Sequence, residues 1–243
     1  MKMKYTIAAL AVTTLTAQAV ITVTKDSADF AQNYDGNEIY DGTSYVNGWA
    51  AAGGITAQST SGSVLTLTDG TNGWVEHNTG DPIVSLGATS GWTLEVTLGM
   101  DGTDGIALWQ DGSNGANGAL IYVGANGIGT NGNGTSTNQD ISAVSNIGVH
   151  TFRLAYDTSS ATINIWRDGV FVTDTAVTTN PGGGPRLIIG DCCSNASTGV
   201  LFDTIDIHNI SYDITGGFAP VPEPSSAALL GLGGIALILR RRK

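Results

Sequence analysis

Cysteine is almost missing from this chain. The 243 residues hold two, and they are adjacent, Cys192-Cys193, so no disulfide framework can be drawn. In an oxidising compartment neighbouring thiols can close a strained vicinal disulfide, which we expect here; plain strand alternation would instead put one thiol in the core and one outside. Positive charge is also scarce. Ten Lys and Arg face 21 Asp and Glu, and six of those cations sit at the ends, at Lys2, Lys4 and Arg240-Arg241-Arg242-Lys243. Between the ends only Lys25, Arg153, Arg167 and Arg186 remain against twenty acids, a net charge near −16. Such a body repels nucleic acid and anionic lipid, and suits a soluble, exported protein.

The residues of several common chemistries are missing too. Between residues 20 and 217 the only glutamates are Glu38, Glu76 and Glu95, and none lies two residues from an Asp or another Glu. Asp203 and Asp206 are three apart, and a two-residue period does not put both on one strand face. Paired carboxylates flanking a glycosidic bond are therefore not written into any one strand. No G-x-S-x-G occurs, and His77, His150 and His208 lie far apart without recognisable partners. Zinc lacks ligands at a binding spacing, since Cys192-Cys193 is not a C-x-x-C pair. We therefore expect no enzyme. Calcium is the one metal with candidate ligands: Asp101-Gly-Thr-Asp104-Gly forms an oxygen-rich turn and Asp111 follows, without EF-hand spacing. Solvated turn aspartates are the alternative.

What the chain does have is a charged, apolar and small-residue sequence at each end, arranged for export. Met1-Lys2-Met3-Lys4, an apolar run from Ile7 to Leu15 and Ala17-Gln18-Ala19 have the parts of a secretory signal peptide, with cleavage after Ala19. At the other end, Val221-Pro222-Glu223-Pro224 precedes an apolar run from Ala227 to Leu239 and the terminal cations. Pro222 and Pro224 keep the chain extended, so a helix can begin only after them. Residues Ser225 to Leu239 rise about 22 Å as a helix, short of the roughly 30 Å hydrocarbon core, and span it only if the arginines snorkel. The cations stay in the cytoplasm, which places everything before Val221 outside. This tail resembles the PEP-CTERM sorting tail of bacterial exported proteins. The resemblance implies transient anchoring in the inner membrane and an exosortase-like membrane protease as partner. That protease would cut near Pro222-Glu223-Pro224 and send the body to the cell surface or beyond. The division expected is 1–19 signal peptide, 20–217 body, 218–243 linker and tail.

The body reads as many short strands separated by glycine turns. Val20 to Thr24, Val64 to Thr68, Trp74 to His77, Ile83 to Leu86, Ile106 to Gln110, Ala119 to Val123 and Leu187 to Ile189 are β-rich runs. Asn33 to Gly54 and Gly124 to Gln139 read as loops. Trp92, Leu94, Val96 and Leu98 alternate with polar residues, so Glu95 points away from the core. Val149 to Thr173 reads as a three-stranded meander with a tight hairpin at Asp168-Gly169. Ile205 and Ile207 differ in parity from Ile210, Tyr212 and Ile214, which calls for a bulge near His208-Asn209.

The segments from Gly91 to Met100 and from His150 to Val172 resemble the concanavalin A-like lectin/glucanase superfamily, including laminin-G-like domains. That resemblance implies an all-β jelly-roll sandwich of two antiparallel sheets, and laminin-G-like domains often hold one calcium in loops such as Asp101 to Asp111. The strand pattern points to the same class. Of the functions this architecture hosts, a non-catalytic protein that binds or structures extracellular polysaccharide fits the missing carboxylates; the alternative is a secreted glycan-active enzyme. Period two sets Trp109, Trp166, Glu95 and Arg153 on non-core faces, where the two rings would form an open sugar platform with a carboxylate and a guanidinium beside them.

Overall fold

The computed structural model describes residues 21–77, 91–100, 106–110, 119–124, 127–131, 138–142, 145–159, 162–176, 187–190 and 204–222. Thirteen strands carry the chain: β1 (Gln32–Asp35), β2 (Trp49–Ser61), β3 (Val64–His77), β4 (Trp92–Met100), β5 (Ile106–Gln110), β6 (Ala119–Gly124), β7 (Gly127–Asn131), β8 (Asn138–Ser142), β9 (Gly148–Tyr156), β10 (Thr162–Arg167), β11 (Val170–Ala176), β12 (Leu187–Gly190) and β13 (Thr204–Asp213). All pairings between them are antiparallel. The hydrogen-bonded order is β11-β10-β9-β4-β13-β3-β12-β5-β6-β7-β8, with β1 beside β13 and β2 beside β3.

This continuous network makes two layers because β3 belongs to both. Its first half, Leu65 to Thr68, pairs with β13, and its last four residues, Trp74 to His77, pair with β12. β2 follows β3 along its length, so the hairpin carries the chain from one layer to the other. Leu94, Val96, Phe152, Leu154, Ile163 and Ile165 of the first layer pack in one buried cluster with Ile121, Val123, Leu187 and Ile189 of the second. The alternation along β4 and β9 produces this core, because every second side chain faces the opposite layer.

Several readings hold. The meander is β9-β10-β11, and its turn has Asp168 and Gly169 at φ 50° and 75°, the left-handed pair that a two-residue hairpin of matching twist requires. The parity change in β13 is a register shift between Ile207 and Asn209.

Other readings are corrected. The strand expected from Val20 to Thr24 is replaced in its described part by a strap: Ile21 to Lys25 crosses the first layer, with one parallel bridge from Thr24 to Ala219. The region 33–54 holds β1, a helical turn α1 (Gly36–Ile39) and the start of β2. Asp35 caps α1 reciprocally with Glu38, a D-x-x-E signal within the stretch read as a loop. Gly36 has no room for a side chain, since a Cβ there would stand 2.3 Å from the Leu65 nitrogen. Val64 to Thr68 and Trp74 to His77 are one strand, the turn signals between them being absorbed as irregular pairing opposite Gly53 to Ala57. β7 and β8 occupy much of the expected 124–139 loop; backbone pairing carries β7, anchored by buried Ile128. The expected strand Ile83 to Leu86 lies outside the described residues.

Candidate ligand pocket beside the paired chain ends

The site is built on the outer face of the first layer. There Trp166, Arg153, Glu95 and Ser211 stand in register on β10, β9, β4 and β13, one row across four strands. Two extended segments lie over this face. Ile21 to Lys25 and Gly216 to Val221 run parallel, joined by Ala219 N–H to the Val23 carbonyl at 2.7 Å and Lys25 N–H to the Ala219 carbonyl at 3.1 Å. Gly217 lets its segment press close, because a Cβ there would meet the Tyr156 carbonyl at 2.6 Å.

Side chains of the sheet hold both straps. Ile21 N–H donates to buried Asn164, and Thr93 accepts from Phe218 N–H while donating to the Gly216 carbonyl. Arg153 is the hub. Its Nε and Nη2 reach Glu95 Oε2 at 2.6 Å each, and Nη1 donates to the carbonyls of Lys25 at 2.8 Å and Ala219 at 2.9 Å. The Phe30 ring stacks 4.9 Å from the guanidinium carbon. Lys25 donates to Asp213 at 2.5 Å, and Thr215 donates twice to the other carboxylate oxygen. Burial pushes the Asp213 carboxyl up, but Lys25 and the Thr215 donors outweigh it and hold the group below the usual carboxylate range.

Where the straps leave the sheet a pocket of about 340 Å³ opens, with Asp26, Ser27, Glu95, Thr151, Arg153 and Asp168 as its polar lining. Gly169, Pro220 and Val221 complete the wall. Asp168 sits at the hairpin turn and is fixed there: Thr151 N–H donates to one of its oxygens at 3.0 Å, and His150 Nδ1 lies 2.8 Å from the other. Since Arg153 spends four of its five N–H donors on Glu95 and two carbonyls, the lining offers mainly carboxylate acceptors and the Ser27 and Thr151 hydroxyls. Sugar hydroxyls can donate to such a set. Acyl transfer would need a nucleophile on the second nitrogen of His150. That nitrogen instead meets Arg167 Nη2 at 2.9 Å and the Ile147 carbonyl at 3.1 Å.

The structure brings Glu95 and Arg153 together, as directly opposed partners. It closes the expected aromatic platform. Trp166 is 4% exposed, packed with Ile21, Ala155 and Ala219 and edge-on to Phe171, because the terminal straps form a covering layer. Trp109 is on β5, beside β12 and β6 in the second layer, so the two tryptophans share no face. Asp101, Asp104, Asp111, Cys192, Cys193, Glu223, Pro224, Arg240, Arg241 and Arg242 lie outside the described residues, while Pro222 is exposed just past the pocket. Among the described residues no cluster of side chains could hold a metal ion. Sequence reasoning missed Asp26, Ser27, Thr151 and Asp168. Only Asp168 carried a signal, and it read as turn chemistry alone.

Residues 220–243 are a PEP-CTERM protein-sorting motif. The motif marks the chain for export and membrane-associated sorting. The PEP-CTERM tail thus begins at Pro220, a residue of the pocket wall. Among the described residues no helix is long and apolar enough to cross a membrane. In fold, the chain is similar to a carbohydrate esterase from the Shiga toxin-encoding bacteriophage phi24B, with TM-score 0.51 and 16% identity over 76% of this chain and 97% of that one. It is also similar to the Emp47p carbohydrate recognition domain, at TM-score 0.47 and 17% identity over 77% and 94% of the two chains. A sialidase matches at TM-score 0.47 and 14% identity over 69% of this chain and 17% of its own. Identities this low speak of the fold, an all-β sandwich. No curated protein matches the sequence.

Proposed function

We propose that this is an exported, non-catalytic glycan-binding protein of the cell surface or extracellular polysaccharide layer. Its PEP-CTERM tail holds it at the inner membrane until an exosortase-like membrane protease removes the tail near Pro222-Glu223-Pro224. The observation that carries the reading is the polar pocket, built on an outer sheet face at the point where the sorting tail leaves the body. Its acceptors suit a polyol, and the carbohydrate chemistry named for the phage esterase of similar fold agrees with such a ligand.

A glycan array probed with the exported form tests the reading, run beside assays for reducing-sugar and acetate release. Retention on a polysaccharide without turnover is the expected result. Robust turnover lost on Glu95→Gln would establish the glycan-active enzyme instead. Asp168→Asn keeps an acceptor for Thr151 N–H and removes the charge, so binding should weaken about tenfold, the worth of one charge-assisted hydrogen bond, at unchanged stability. Calcium held by Asp101, Asp104 and Asp111 would raise the melting temperature by a few degrees in millimolar calcium over chelator. An unchanged melting temperature would assign them to solvated turns.

A further inference from the structure

Five large apolar side chains are exposed among the described residues: Val23 at 62%, Ile147 at 51%, Val149 at 55%, Val170 at 68% and Val221 at 48%. Four of these gather at one end of the first layer. Val149 opens β9 on the outer face, where a Cβ on the opposing Gly99 would stand 3.5 Å from its Cγ2. Val170 follows the Asp168-Gly169 turn, whose Asp168 N–H donates to the Thr151 carbonyl two residues beyond Val149. Val221 lines the pocket with Thr151 and Gly169. The Ile147 carbonyl contacts His150, which joins it to the same turn through Asp168. Solvent alone gives no reason to gather four β-branched aliphatics at one end of a layer.

The sorting tail supplies a reason. Ala219 is fastened on both sides by strap hydrogen bonds and by Arg153, so the body ends at Val221. From Val221 to the start of the apolar run at Ala227 is six residue steps, which span at most about 20 Å when fully extended. The headgroup layer itself occupies roughly 5–8 Å on each side of the hydrocarbon. A body tethered this closely must turn its tail-exit end toward the bilayer.

We propose that Ile147, Val149, Val170 and Val221 form a bilayer-contact rim that rests among zwitterionic headgroups while the tail is inserted. The inference depends on the tail being a membrane segment, as the proposed function holds. Lipid is the occupant the surface fits: the side chains are small and aliphatic, and come from separate segments at the end where the tail leaves, Val221 lining the pocket there. One consequence is that the pocket mouth faces the membrane until the tail is cut.

The full chain, reconstituted into phosphatidylcholine vesicles, provides the test. Val149→Cys, Val170→Cys and, as a control, Thr158→Cys are made in a Cys192→Ser/Cys193→Ser background, labelled with an environment-sensitive fluorophore, and exposed to lipids brominated in the acyl chain. Thr158 sits in the turn that follows β9, whose far end at Tyr156 is seven residues, about 24 Å, from Val149. Quenching at 149 and 170 should exceed that at 158 at least threefold. Equal quenching at the three positions overturns the rim and leaves that end open to a protein partner. A chain that fails to float with the vesicles overturns the membrane tail and the rim together. Should the serine background not fold, amide exchange in the unaltered chain decides. Residues 145–151 and 167–171 should exchange more slowly on vesicles than after tail removal, and equal rates refute the contact.

Discussion

At the scale of single residues, Arg153 shows how a buried charge is made tolerable. Its guanidinium is almost fully buried, yet four of its five N–H groups meet Glu95 or a strap carbonyl. Replacing it with Ala would leave a carboxylate and two carbonyls facing a low-dielectric void. Arg153→Ala should therefore cost about 3–5 kcal/mol in urea unfolding, the range for breaking a buried pair by removing one partner. A loss under 1 kcal/mol would mean that water satisfies those groups. Trp166 tests the same covering layer from its apolar side. A ring enclosed by Ile21, Ala155 and Ala219 contributes packing, so Trp166→Ala should lose about 3–5 kcal/mol. Unchanged stability with lost glycan retention would restore the open aromatic surface that strand alternation alone suggested.

At the scale of elements, the strap from Ile21 to Lys25 explains which parts of the architecture were legible. β4, β9 and β10 announce themselves because apolar core residues recur at every second position, and the Asp-Gly turn announces β11 and sets its register. Alternation also placed Glu95 and Arg153 on the outer face correctly. It could not show what covers that face, because the cover is made from chain ends some two hundred residues apart that meet through backbone and buried polar contacts. Asp26 and Ser27 reach the pocket only through that meeting. Lys25 and Asp213, 188 residues apart, are likewise invisible as a pair until the strap is laid down. Their coupling has a pH signature. Asp213 titrates below its unfolded value, so its contribution is fully present above about pH 4 and drains away as the pH falls through the folded value. Lys25→Met keeps the stem and removes the countercharge, leaving only the Thr215 donors against burial. The carboxyl should rise, and the acid limb of the stability curve should move toward neutral pH. An acid limb identical to that of the parent would show that the Thr215 donors alone hold Asp213 ionised.

At the scale of the whole molecule, the segments before Ile21 and after Pro222 attach at opposite ends of one strap pair. The parallel bridge from Thr24 to Ala219 means that the N-terminal strap enters the sheet near Asn164, whereas the tail leaves beside Asp26 and the pocket. Cleavage after Ala19 would free an amino end one residue before Ile21, which is buried and already bonded to Asn164. A signal peptidase needs extended chain at the scissile bond, so that cut should precede docking of the N-terminal strap. The tail imposes no such order. Val221 and Pro222 are exposed beyond the last strap hydrogen bond, and a protease can work there on a folded body. We expect intact-mass measurement of the exported form to show a chain beginning at Val20 and ending near Pro222 to Pro224. Retention of both Met1 and Lys243 would refute the export topology. Arg240→Glu, Arg241→Glu and Arg242→Glu together remove the cations that keep the C-terminus inside, and should leave the tail uncut. Normal processing of that variant would show that Pro222-Glu223-Pro224 is recognised without the orientation the cations impose.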